Sequence, residues 1–357
     1  MTAPPCRHMP RLTTRITAVA LALSAGAGAA WATAAAAQQS PPGEIEILPV
    51  RDRVYILVGS GGNTTIHVGD DGVMVVDTQF AQDSERLLRA IRSLSDKPIR
   101  YVVNTHVHGD HIGGNVPLAK AGRTRAGGNV IGDIGAAATD TARILAHENV
   151  LHRMVKATGA NAVPDAAWPT ETFFGGRKDM LFNGEAVQFV HAPAAHTDGD
   201  VMVFFRRSDV IATGDLFTTV MYPVIDRANG GTINGYIDAL NAIIEITVPS
   251  NVNEGGTMVV PGHGRLSDEQ DVIEYRNMAT IVRDRIKEYV SRGMTLEQVK
   301  AAKPTLDFDP RYGSDTGFWT TSMFVEVIYN QMREANPPAP ARNRTQTQNR
   351  NQSGGNK

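Results

Sequence analysis

The chain has 357 residues, 35 Lys+Arg against 37 Asp+Glu, a formal net charge of −2 and one cysteine. That balance offers no basic face for nucleic acid, and a single thiol rules out an internal disulfide framework. An apolar fraction of 42% over this length allows a large buried core.

In chain order, Arg7, Arg11 and Arg15 precede an apolar run from Ile16 to Ala30 and the small residues Thr33-Ala34-Ala35-Ala36-Ala37. That order predicts a Sec-type signal peptide over residues 1–37, cut before Gln38, and so a periplasmic or secreted protein. No Arg-Arg pair precedes the run, so a twin-arginine route has little support. The run falls short of the ~20 residues a membrane span requires, and no later segment approaches that length. Stable membrane insertion is therefore not expected. Cleavage would remove Cys6 and three arginines, taking the formal charge from −2 to −5. Any metal held by the remaining chain must then rely on His and carboxylate ligands.

Short β-branched runs follow at Val54 to Val58, Thr64 to Val68 and Val73 to Val76, broken by Gly59-Ser60-Gly61-Gly62-Asn63 and Gly69-Asp70-Asp71-Gly72. Both breaks read as hairpin turns; the first lacks the Gly-Lys-Ser/Thr ending of a phosphate cradle. Asp83 to Leu94 has helical spacing and an acidic start, and Ile99 to Val103 reads as a strand. Strand-like runs recur at Val187 to Val190, Val201 to Phe205, Val210 to Thr213 and Met258 to Val260, with a helix predicted over Ile233 to Ile246. Helices are also predicted over Ser267 to Arg292, Thr295 to Ala302 and Phe318 to Glu334. In the last, Phe318, Trp319, Met323, Phe324, Val327, Ile328 and Met332 read as a core stripe. Residues 336–357, rich in Pro, Arg, Asn and Gln, read as a disordered polar tail. Strand clusters separated by helices, twice over, fit two mixed sheets packed face to face with helices outside, an α/β architecture. The predicted organisation is a signal peptide (1–37), one domain with a helical C-terminal part (38–335) and the tail.

The chemistry concentrates in Asn104-Thr105-His106-Val107-His108-Gly109-Asp110-His111. Helical metal motifs place two histidines at i, i+4. Here His106 and His108 are two apart, and Asp110 and His111 are adjacent, so no single helix face gathers all four. They must sit on a turn leaving a strand, able to aim side chains at two separate points. Further ligand-type residues stand beside strand-like runs: His196 in Ala195-His196-Thr197-Asp198-Gly199-Asp200, Asp215 in Ala212-Thr213-Gly214-Asp215, and His263 in Pro261-Gly262-His263-Gly264. Loops carried by a rigid sheet are where functional groups collect.

The succession H-x-H-x-D-H, H, G-D and P-G-H-G resembles the metallo-β-lactamase superfamily of binuclear zinc hydrolases, over roughly Glu46 to Glu334. The resemblance implies an αββα four-layer sandwich with its metals at the sheet edge. It also implies that His106, His108 and His196 hold one metal, that Asp110, His111 and His263 hold the second, and that Asp215 bridges them. Two Zn²⁺ per chain are expected, although imidazole and carboxylate also suit Fe or Mn. Such an ion lowers the pKa of its water from ~15.7 to near 7. The implied reaction is attack of a dizinc-bound hydroxide on an ester, lactone, thioester or amide carbonyl of a small-molecule substrate, with Asp110 orienting the nucleophile or passing a proton to the leaving group.

A bridging Asp in a Gly-Asp pair resembles the glyoxalase-II-like and lactonase-like members. The true β-lactamases of the superfamily carry Cys or Ser there, and those with Cys use a Lys three residues later, where this chain has Thr218. A β-lactamase is therefore the alternative, and a mononuclear iron persulfide dioxygenase-like oxidoreductase is another. Of the remaining histidines, His67 and His191 read as core or supporting groups, with His191 near enough to His196 to orient it. His147 and His152 read as a solvated helix face. Tyr222 reads as packing rather than as an oxyanion donor, and Asn115 as a candidate supporting group.

Overall fold

The computed structural model describes residues 44–124, 141–159, 162–252 and 255–335. The predicted signal peptide and polar tail lie outside them. Seven strands form the first sheet, in the order β1 (Glu46–Arg51), β2 (Val54–Gly59), β3 (Gly62–Gly69), β4 (Gly72–Val76), β5 (Ile99–Val103), β6 (Arg143–His147) and β7 (Glu171–Phe173). β1 to β4 are an antiparallel meander, and β4 to β7 run parallel. Both glycine-rich breaks are hairpin turns, closed by the pairs Gly59↔Gly62 and Gly69↔Gly72. The second sheet has the order β12 (Met258–Val260), β11 (Val210–Ala212), β10 (Asp200–Phe205), β9 (Glu185–Ala192) and β8 (Arg177–Phe182).

Side-chain alternation along each strand builds the layers. Met74 and Val76 of β4 face Val201, Val203 and Phe205 of β10 in the core between the sheets. Val73 and Val75 of the same strand face outward onto Leu87 and Ile91 of α1 (Ser84–Leu94). On the far side, Met202 and Phe204 of β10 turn toward α5 (Ile233–Ile246) and α6 (Glu269–Ser291), which supply Tyr236, Leu240, Tyr275 and Val282 to the outer core. This is the expected αββα sandwich.

Further helices complete it: α2 (Gly109–Ile112), α3 (Asn115–Ala121), α4 (Glu148–Lys156), α7 (Leu296–Ala301), α8 (Asp309–Tyr312) and α9 (Thr321–Ala335). Strands β1, β6, β7 and β8 were not predicted. β8 (Arg-Lys-Asp-Met-Leu-Phe) is a half-exposed edge strand with three charged residues, so no apolar run announces it. Among the described residues, no helix is long and apolar enough to cross a membrane.

Candidate metal centre

The centre is assembled from loops that leave the C-terminal ends of strands. β5 leads to His106, His108, Asp110 and His111, β9 to His196, β11 to Asp215 and β12 to His263. All seven residues singled out in the sequence converge. Donor atoms of His106, His108, His196 and Asp215 lie within 4.8 Å of one another, and those of Asp110, His111 and His263 form a second such group. Asp215 stands between them. Its Oδ1 lies 3.3 Å from His111 Nε2 and 3.5 Å from His263 Nε2, while Oδ2 lies 3.7 Å from His196 Nε2 and 3.9 Å from His106 Nε2. The two carboxylate oxygens thus divide between the groups as a bridging ligand would.

Each of four imidazoles has one ring nitrogen held from behind. His111 Nδ1 donates to Asp77 Oδ2 at 2.7 Å and His108 Nε2 to Asp226 Oδ2 at 2.7 Å. His196 Nδ1 donates to the Val224 carbonyl at 2.6 Å. Thr105 Oγ1, which donates to Asp77 Oδ2 at 2.7 Å, accepts from His106 Nδ1 at 3.0 Å. A proton fixed on the outer nitrogen leaves the inner lone pair free for a cation, the usual second-layer arrangement of a metal site. His106 Nε2, His111 Nε2 and Asp215 Oδ1 are buried without a hydrogen-bond partner. Buried polar atoms are seldom left so, and these three converge on the space between the carboxylate and the imidazoles. The residues therefore fit a divalent cation, and the mixed imidazole and carboxylate set fits Zn, Fe or Mn.

The electrostatics follow from burial and crowding. Burial, with His111 and His196 alongside, drives His106 well below the usual imidazole range. Burial lowers His196 to about 4. Burial opposes ionisation of Asp215, yet His263 and His111 hold its carboxyl well below the ordinary range. Burial likewise opposes a charged His111, and Asp215 and Asp77 outweigh it and raise that imidazole. Asp110 is lowered against its own burial by His263 and His111, so it is a carboxylate at neutral pH.

The scaffold around the ligands is tight. Gly262 leaves no room for a side chain, because a Cβ there would collide with Asp215 Oδ1. Asn63, just past the Gly-Ser-Gly-Gly turn, donates from Nδ2 to the carbonyls of Pro261 and Gly264, both at 2.9 Å, and so clamps the loop that carries His263. Tyr236 donates from its hydroxyl to the Asp215 carbonyl at 2.7 Å. Asn115 exchanges side-chain hydrogen bonds with Asn104 at 2.9 Å, and Asn104 Nδ2 donates to the His111 carbonyl.

Several individual expectations resolve here. Tyr222 is packing: it stacks on Phe324 and donates to Asp309 Oδ1 at 2.8 Å. His67 is a buried partner of Glu185 at 3.0 Å. His191 does not orient His196. Its Nε2 donates to the Asp198 carbonyl at 2.8 Å, which steadies the same loop, and its ring stacks on His147 at 3.6 Å. His147 is not on a solvated face either; it is buried at the end of β6 and accepts the Asn149 N–H as the cap of α4. The predicted core stripe splits. Phe324, Ile328 and Met332 are buried, whereas Phe318 and Met323 are exposed.

Sequence reading missed Asp77, Asp226 and Tyr236. Asp77 ends the Val73–Val76 run as Asp215 follows Val210–Ala212, so the signal used for Asp215 was also present for Asp77. Its φ of 64° is what turns the carboxylate toward Thr105 and His111.

A cavity of about 580 Å³ opens onto the centre, with His108, Asp110, His196, Asp215 and His263 on its floor. Two packed mixed sheets with seven His and Asp donors gathered at one sheet edge define an αββα protein built to hold metal. The chain belongs to the metallo-beta-lactamase superfamily, whose family model matches residues 57–267. An alkyl/aryl-sulfatase of Saccharomyces cerevisiae is 30% identical over 325 residues, 82% of this chain and 50% of that protein. The 2,4-dinitroanisole O-demethylase subunit alpha of Nocardioides sp. is 26% identical over 180 residues, 50% of this chain and 48% of that protein. The chain thus spans about half the length of the curated relatives it matches. Among solved structures, a stereoselective inverting sec-alkylsulfatase from Pseudomonas sp. shares the fold, with a TM-score of 0.59 and 17% identity over 83% of this chain and 52% of that one.

Proposed function

We propose that the protein is a metal-dependent hydrolase that cleaves an ester, lactone, thioester or amide bond at a carbonyl, with two Zn²⁺ held by the seven residues above. The observation that carries this reading is the division of the Asp215 carboxylate, one oxygen toward each donor group at 3.3–3.9 Å. A pair of bound divalent ions would supply a water whose pKa is lowered to near 7 and an electrophilic contact for the carbonyl oxygen.

The chain's own residues do the rest. His106, His108 and His196 would hold one ion through their inner nitrogens, and Asp110, His111 and His263 would hold the other. Asp110 lines the cavity floor as a carboxylate, so it can take a proton from the attacking water and return it to the leaving atom. Tyr236, through the Asp215 carbonyl, keeps the bridging carboxylate in register.

Two observations weigh against efficient β-lactam hydrolysis, which calls for a cation to hold the substrate carboxylate. Thr218 occupies the position of the Lys, and its hydroxyl donates to the His263 carbonyl at 3.2 Å. Arg227, the one Lys or Arg on the cavity lining among the described residues, is paired with Glu334 at 2.8 Å. A second reading, hydrolysis of a sulfuric ester, is favoured by the alkyl/aryl-sulfatase relative, which matches 82% of this chain. We further propose that residues 1–37 export the protein to the periplasm or beyond.

The test is turnover by the zinc-loaded protein of p-nitrophenyl acetate, an acyl-homoserine lactone, a glutathione thioester, nitrocefin and p-nitrophenyl sulfate. Hydrolysis of a carboxyl-type ester or lactone in preference to the sulfate and the β-lactam is expected. Preference for the sulfate would replace the carbonyl reading with the second one. One iron per chain in the protein as purified, and no hydrolysis by that form or the zinc-loaded one, would move the protein to the dioxygenase alternative.

A further inference from the structure

The cavity above the metal centre has an unusual upper half. Its walls are Phe80, Met221, Ile225, Phe318, Trp319 and Met323, and no Lys or Arg faces it apart from the paired Arg227. Three of these belong to the stretch from Phe318 to Met323, well beyond residue 267, where the match to the family model ends.

That stretch is held in a defined shape. Residues 314–321 form a loop closed at its neck, where the Thr321 N–H donates to the Ser314 carbonyl at 2.8 Å and the Ser314 N–H donates to Thr321 Oγ1 at 3.1 Å. Gly317, with φ of 94°, makes the reversal that precedes Phe318. Trp319 leans on the outer core, so the loop is anchored from below. Phe318 is nevertheless 73% exposed and Met323 42% exposed, and Phe80 stands opposite at 36%. Large exposed apolar side chains around one cavity mouth, Phe318 on a loop pinned by hydrogen bonds and Met323 on the helix turn that follows it, are not excess core. A polar-floored cavity with such a rim is the usual form of a ligand groove.

We infer that the segment from Phe318 to Met323, with Phe80 and Met221, is the specificity subsite for an apolar alkyl or aryl group of the ester, held above the metal centre beside the scissile carbonyl. This inference rests on the hydrolase reading given above for the site, and it names the substrate class as a hydrophobic ester. The apolar group sits on either the acyl or the alcohol side of the scissile bond. Each methylene moved from water into the groove favours binding, so selectivity for chain length is the quantity the subsite controls.

Two ester series separate the sides. The first is p-nitrophenyl acetate to octanoate; the second is ethyl acetate to octyl acetate. kcat/KM should rise at least tenfold along one of them with the zinc-loaded protein. The double variant Phe318→Ser/Met323→Ser, at exposed positions that leave the core untouched, should reduce the long-to-short ratio by at least tenfold. Titration calorimetry with octan-1-ol and octanoate, the two product classes, gives a readout independent of turnover; binding of one of them should weaken at least fivefold in the double variant. If esters are hydrolysed with the same ratio in both proteins, the subsite is refuted while the hydrolase reading stands. If no ester is hydrolysed but binding of the octyl compound still depends on Phe318 and Met323, the subsite stands and the ester reading fails. Equal octyl binding in both proteins, without turnover, removes both.

Discussion

Asp226 and His108 are locked together by a 2.7 Å hydrogen bond from Nε2 to Oδ2, leaving His108 Nδ1 at 2.9 Å from His196 Nε2, on the metal side. The nitrogen that His108 would offer a metal is thus chosen by a carboxylate 118 residues away in the chain. Burial opposes the charge on Asp226, but His108 and Asn229 hold its carboxyl well below the ordinary range, so the acceptor is ionised at any working pH. Removing such an outer partner commonly costs 10–100-fold in metal affinity. Asp226→Ala should therefore weaken zinc binding by about that factor in a chelator competition. Unchanged affinity would mean that Asp226 does not set the ring.

Asp77 makes the equivalent bond to His111 and also accepts the Thr105 N–H at 2.8 Å. It ties β4 to the loop that carries the first ligand block, so its loss reaches both metal and fold. Asp77→Ala should lower zinc affinity as Asp226→Ala does and, in addition, destabilise the metal-free protein by about 1–3 kcal/mol, since it leaves buried donors unpaired. Urea unfolding of the metal-free variant tests the second part, and an unchanged midpoint would contradict it.

Gly262→Ala places a methyl group where Asp215 Oδ1 stands. The bridging carboxylate must rotate, and turnover should fall at least a hundredfold with the fold intact by circular dichroism. Activity within threefold of the parent would show that the carboxylate has room to move.

Acid should weaken the fold in two windows. Burial, with His191 beside it, lowers His147 from 6.5 to about 4. The unfolded chain then binds more protons between those values, and stability is lost as pH falls from 6.5 toward 4. Glu185, buried but bonded to His67 and Ser208, is lowered from 4.5 to about 2, so its contribution is lost between 4.5 and 2. Thermal melts of the metal-free protein should show a smaller drop in Tm from pH 6.5 to 4.5 for His147→Gln than for the parent. They should also show a smaller drop from 4.5 to 3 for Glu185→Gln. Parallel curves would contradict the assignment.

The contrast between Asp215 and Asp226 explains what could be read without coordinates. Asp215 follows a strand-like run within a local Gly-Asp pair, as His263 sits in Pro-Gly-His-Gly, so the ligands carried their own short-range signals. Asp226 carries none: it lies in an irregular stretch, and its role exists only because the fold brings it to His108. The sheet cores were legible because β4 and β10 are nearly all apolar, whereas β8 exposes its charges at an edge and β6 follows a stretch without apolar periodicity. Phe318 and Met323 were misread for a related reason. Their spacing continues that of Phe324 and Ile328, but the helix begins only at Thr321, so the hydrogen-bonded neck at Ser314 carries Phe318 out to the cavity, and Met323, in the first turn, lines that cavity instead of the core.

In the proposed centre, Asp215 joins two metal positions. Elemental analysis of the protein dialysed against zinc, for the parent and for Asp215→Ala, tests it directly. Two zinc per chain are expected in the parent and at most one in the variant, with turnover lost. One metal per chain in the parent, retained unchanged in Asp215→Ala, would contradict it.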